Sequence, residues 1–177
     1  MATEFFVVTA VGPDRPGLMN AISDYVFTRG GNVQSSRAAT LGGEFAVVML
    51  VSVDEAASGV LEGQVNELAR YGLSCAIRRT SAPRPPTAGG MGYSLTVDAM
   101  DHPGIVQAIT HDLAVMNVNI ETLDTQVDSA PHTGTALFHF RAHVTLPASL
   151  KPAQCRQKLA ALAKRFNFDI AMAEEEA

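Results

Sequence analysis

Hydrophobic and polar positions along the chain fall into two matching cycles. Residues 5–11 form an apolar run rich in β-formers and read as a strand. Leu18, Ile22, Tyr25 and Val26 recur at helical spacing, and Gly30-Gly31 stops that helix. Pro16 suits the first turn of the helix, and Asp14 just before it suits the cap. Residues 33–41 and 45–53 are strands joined by a turn at Gly42-Gly43. Val60, Leu61, Val65, Leu68 and Ala69 give a second helix stopped near Gly72, and residues 73–79 give a last strand. The second cycle predicts a strand over 93–99, a helix over 103–116, strands over 118–127 and 135–145, a helix over 151–166 and a strand over 168–172. The order βαββαβ, met twice, predicts an α+β chain of two ferredoxin-like units in tandem. Each is an antiparallel four-stranded sheet with both helices on one face.

The cycles are copies. Asp14-Arg15-Pro16-Gly17-Leu18 returns as Asp101-His102-Pro103-Gly104-Ile105, an offset of 87 residues. The same offset carries Asn32-Val33 onto Asn119-Ile120, Ala21 onto Ala108, Ile22 onto Ile109 and Val26 onto Leu113. A shared apolar spacing and a second Asn at fixed distance make duplication the economical explanation. Between the copies, Pro83, Pro85, Pro86, Gly89 and Gly90 suit neither helix nor central strand. The expected organisation is a first domain over 1–80, a linker over 81–91 and a second domain over 92–177.

The copies differ on their open sheet faces. Ala136, Phe138, Phe140, Ala142 and Val144 alternate with Leu137, His139, Arg141, His143 and Thr145, which is a half-buried strand with a polar outer face. Its counterpart, residues 45–51, is apolar on both faces, as are residues 5–8. The open face of the first unit is therefore expected to be covered, by the other unit or by a second subunit, and the protein to form a homo-oligomer.

Composition narrows the function classes. Thirteen Lys and Arg against eighteen Asp and Glu give a net charge of −5 in 177 residues. With no Trp and no strong basic block, direct binding to nucleic acid is not expected. The stretch before the first strand has no basic n-region, and no apolar run is long enough to span a bilayer, so a cytoplasmic protein without membrane attachment is expected. Cys75 and Cys155 make no disulfide framework.

At this point the residues resemble a known family. Asp-Arg-Pro-Gly-Leu after a first strand, with Asn-Val opening the second strand of a βαββαβ unit, resembles the ACT domain. Two such units without a catalytic domain resemble the glycine cleavage system transcriptional repressor group. The resemblance implies sensing of a small amino acid, glycine by analogy, by a non-enzymatic regulator that acts through a protein partner. A transcription activator is the partner expected, and the alternative is a separately encoded regulatory subunit of an amino-acid or folate enzyme. It implies ligand contact at Asp14, Arg15, Gly17, Leu18 and Asn32, and at Asp101, His102, Gly104, Ile105 and Asn119. The chemistry is apt. Unpaired N–H groups at a helix start suit a carboxylate, glycine lets backbone approach a ligand, and an Asn amide offers donor and acceptor together. The loop carries Asp where family members that bind amino acids carry an amide.

No other chemistry is expected. All five histidines, His102, His111, His132, His139 and His143, lie in the second half. His139 and His143 share a strand face with Arg141 between them, an arrangement that opposes a metal cation. No nucleophile elbow or phosphate-binding loop occurs, so catalytic, metal and cofactor sites are expected to be absent. The final Glu174-Glu175-Glu176 is read as a solvated end.

Overall fold

The computed structural model describes residues 2–83, 91–129 and 134–174. The linker positions 84–90, His132, Glu175 and Glu176 lie outside these described residues. The chain divides into two compact units, Met1–Arg84 and Pro85–Ala177.

The first unit runs β1 (Thr3–Pro13), α1 (Leu18–Thr28), β2 (Gly31–Leu41), β3 (Glu44–Asp54), α2 (Glu55–Gly63), a 3-10 segment (Val65–Tyr71) and β4 (Ser74–Thr80). Its antiparallel sheet has the order β2-β3-β1-β4. Phe6, Val8 and Ala10 of β1 and Phe45, Val47, Met49, Val51 and Val53 of β3 point to one side and are buried. Leu18, Ile22, Tyr25 and Val26 of α1 close over them, with Leu61 and Leu68. Gly42 and Gly43, with φ of 60° and 84°, join β2 to β3 across the pair Leu41–Glu44, the left-handed hairpin turn expected from Gly-Gly.

The second unit repeats this with β5 (Met91–Met100), α3 (Ile105–Val115), β6 (Asn119–Ser129), β7 (Ala136–Leu146), α4 (Pro152–Phe166) and β8 (Asp169–Glu174), in the order β6-β7-β5-β8. Phe138, Phe140, Ala142, Val144 and Leu146 of β7 are buried with Tyr93, Leu95 and Val97 of β5, beneath α3 and α4. Ala136, expected to point inward, is exposed because it starts the strand beyond the reach of the helices. On the open faces the contrast between the units persists: Val11 is 48% and Val48 45% exposed in the first, where the second carries Asp98 and Arg141.

The expected second helix of the first unit needs correction. It breaks at Gln64 into α2 and the 3-10 segment. Gly59 and Gly63 weaken α-helix there, and the tighter winding shifts the face. Leu61 and Leu68 stay buried, whereas Val60 and Ala69 turn outward.

Candidate functional site

Each unit turns from its first strand into its first helix through a glycine. Gly17 has φ 93° and ψ −5°, and Gly104 has φ 96° and ψ −5°. A Cβ added at either would meet nothing within 4 Å, so the backbone angle and not crowding asks for glycine. The first helical bonds run from Ala21 N–H to Gly17 O and from Ala108 N–H to Gly104 O, each 2.9 Å. No side chain caps either helix. The N–H groups of residues 18–20 and 105–107 therefore converge at two exposed, positively polarised helix starts.

The expected Asp14 cap is corrected by this geometry. The left-handed glycine ends the turn one residue after Pro16, so Pro16 precedes the helix, and the Asp14 carboxylate makes no capping hydrogen bond to it. The Asp14 N–H instead donates to Gly43 O (2.8 Å), and the Asp101 N–H to Ala136 O (2.9 Å), tying each turn to the hairpin end of its sheet. Both carboxylates are exposed. Leu18 and Ile105 are core residues, so the turns offer their N–H groups and not their side chains.

The second residue of each motif is engaged. The Arg15 guanidinium donates to Tyr71 O (2.8 Å) and sits 5.9 Å from the Tyr71 ring centroid. His102 stacks on Phe166 with centroids 6.1 Å apart. Both side chains lock the turn to the last helical segment of their unit, contacts that sequence spacing gave no means to see.

Asn32 and Asn119 stand elsewhere. Asn32 pairs with Ser52, and Asn119 with Thr145, at the end of the sheet far from the turn. From Gly43 to Ser52 the strand climbs roughly 30 Å, at about 3.3 Å per residue. No single unit gathers its turn and its Asn around one small ligand. Bulges follow both Asn residues, centred on Gln34 and Glu121, which the offset of 87 relates to one another. Gln34 Nε2 donates to Ser52 Oγ (2.7 Å), and Glu121 accepts from Asn119 Nδ2 (2.6 Å) and Thr145 Oγ1 (3.1 Å). Beside the second turn lies an open depression of about 470 Å³ whose lining includes Asp101, His102, Gly104, Thr110 and Phe138.

Burial pushes both cysteine thiols up from their ordinary pKa, so little thiolate is present at neutral pH. His139 Nδ1 lies 2.5 Å from Asp98 Oδ1, and its Nε2 3.9 Å from Asp128 Oδ2. Among the described residues no group of three or more His, Cys, Asp or Glu side chains is placed to hold a metal, and no helix is long and apolar enough to cross a membrane.

A family model for the ACT domain matches residues 4–73. The chain is 32% identical over 165 residues to the glycine cleavage system transcriptional repressor of Escherichia coli (strain K12), covering 92% of this chain and 86% of that one. A crystal structure of an unknown protein from Galdieria sulphuraria superposes with a TM-score of 0.81 and 32% identity, over 99% of this chain and 100% of the other. Another, given the provisional description of a glycine cleavage system transcriptional repressor, superposes with a TM-score of 0.71 over the whole of both chains, at 24% identity, and shares the fold.

Proposed function

Because this chain belongs to the glycine cleavage system transcriptional repressor family of paired ACT domains, we propose that it is an amino-acid-sensing regulator with no catalytic activity of its own. The observation that carries this reading is the duplicated turn: two left-handed glycines, 87 residues apart, each opening a helix whose N–H groups no side chain caps. Such a start attracts a carboxylate without supplying a nucleophile or a base. A small amino acid, glycine in the first instance, is the ligand proposed. Its carboxylate takes the N–H groups at Gly17 or Gly104, and Asp14 or Asp101 accepts from its ammonium.

The distance from turn to Asn within a unit gives this reading a further requirement. A ligand held by a turn and by Asn32 or Asn119 together needs a second chain to bring the two within its reach. Assembly and ligand binding are then linked: the amino acid favours whichever arrangement completes the site, by the difference of its affinities for the two. The apolar open face of the first unit supports self-association of the chain as a homo-oligomer. The acidic balance of −5 supports an effect on transcription through a protein partner, in the cytoplasm, over direct binding to DNA.

The test is affinity capture with the full chain as bait, with and without glycine. Recovery of a transcription activator in a glycine-dependent manner is expected. Recovery of an amino-acid or folate enzyme instead would replace this reading with that of a regulatory subunit, and turnover of an amino acid by the pure protein would contradict it.

A further inference from the structure

The first unit closes the groove between its helices, and the second leaves it open. In the first, Arg29 at the end of α1 crosses to the 3-10 segment. Its guanidinium lies 4.0 Å from the Tyr25 ring centroid and donates to Gln64 Oε1 (3.0 Å) and Glu67 Oε2 (2.7 Å). The offset of 87 puts Met116 where Arg29 stands, Asp112 at Tyr25 and Val115 at Thr28. Among the described residues no side-chain hydrogen bond or ion pair joins α3 to α4. An open groove of about 280 Å³ remains between them, and its lining includes Asp112, Val115, Met116, Lys158, Leu162 and Arg165.

Both the apolar surface and the charge of this groove are unanswered. Met116 and Leu162 form a buried floor, and Val115 is 66% exposed. Lys158 and Arg165 stand two turns apart on one side of α4, roughly 10 Å at the helical rise. Among the described residues neither has a hydrogen-bond or ion-pair partner; Arg165 keeps only the Phe166 ring, 5.0 Å from its centroid. Asp112 is the one carboxylate in the lining. The bias extends along the helix. Arg156, Lys158, Lys164 and Arg165 of α4 face no acidic residue in the same helix, although the chain carries a net charge of −5. The matching segments of the first unit carry Glu55, Glu62 and Glu67 against Arg70.

The first unit shows what such a groove takes. There Glu67, from the facing element, meets a cation that lies over an aromatic ring. In the second unit the cations stand on α4, and the carboxylates that answer them have to come from outside the unit. We propose that this groove docks an acidic amphipathic helix of a protein partner, its apolar side chains covering Val115, Met116 and Leu162 and its carboxylates meeting Lys158 and Arg165. A free small anion would leave Val115 bare, and a flat anionic membrane would not reach the floor at Met116 and Leu162. The proposal rests on the reading of a regulator that works through a partner, and it adds where that partner docks and with what chemistry.

The test uses the full chain and a designed, dye-labelled helix of about four turns, with leucines at i, i+3, i+4 and i+7 and glutamates beside them. Two controls carry lysine for every glutamate or alanine for every leucine. Fluorescence anisotropy is expected to show saturable binding of the acidic helix alone, with amide NMR shifts confined to residues 112–116 and 158–165. Lys158→Glu with Arg165→Glu, both at exposed positions, should weaken that binding about tenfold or more and admit the lysine helix instead. No saturable binding, equal binding of either control, or indifference to the double variant overturns the proposal. So does binding to phosphatidylglycerol vesicles in place of the helix, or dissociation of a wild-type oligomer by the double variant, which would give the groove to a second copy of the chain. Affinity capture with the double variant as bait separates the two readings: a partner recovered equally by both baits keeps the regulator and removes this surface.

Discussion

Gly17 and Gly104 hold angles that cost an L side chain about 1–2 kcal/mol. Gly17→Ala should lower the free energy of unfolding by that amount in a urea titration, with no steric contribution, since its Cβ would meet nothing. Gly12→Ala fails for a different reason: its Cβ drives into the Gly72 carbonyl, and a loss of about 1–3 kcal/mol is expected. Burial holds the Tyr25 hydroxyl above its ordinary pKa of 10.0, and the hydroxyl donates to Leu61 O. A raised folded pKa means stability that is present below pH 10 and lost as pH rises through the folded value. Tyr25→Phe should therefore flatten the alkaline fall in stability while costing about 1 kcal/mol at neutral pH, because Leu61 O loses its donor. At this scale the sequence showed that a helix begins after Asp14 but not which residue caps it. Asp and Gly both suit a helix start, and only the tertiary tie of the Asp14 N–H to Gly43 O decides between them.

The elements show where periodicity succeeds and where it slips. The buried face of helix α1 was legible because Leu18, Ile22, Tyr25 and Val26 keep one phase against one sheet, although its start at Gly17 was not. The helix after β3 was misread at Val60 and Ala69 because two glycines let it rewind to 3-10 at Val65. What holds that rewound segment is Arg29. Its guanidinium lies 4.0 Å from the Tyr25 ring centroid and donates to Glu67 (2.7 Å) and Gln64 (3.0 Å). The Arg29 side chain is only 13% exposed, so these contacts are better sheltered than surface pairs are. Arg29→Ala should cost about 1–2 kcal/mol and speed amide hydrogen exchange over 65–71 more than elsewhere in the unit. The candidate site was legible only in pieces. The turn and the Asn were both found, but their separation by the length of β2 was not, because a repeat fixes spacing along the chain and not position across a sheet.

At the scale of the whole molecule, duplication gave two cores and then let them diverge. Each unit has its own buried cluster, one around Phe6, Val8 and Met49 and the other around Leu95, Ile109 and Phe140. Fragments 1–83 and 91–177 should therefore each unfold cooperatively, as followed by circular dichroism. The repeat was the feature most legible in the sequence. The regulatory account rests on ligand binding without chemistry. Calorimetric titration of the intact protein against a panel of amino acids, glycine first, tests it most directly. The account predicts a saturable heat with at least one of them and return of the ligand unaltered. No heat with any member of the panel, or a steady heat of turnover, would contradict it.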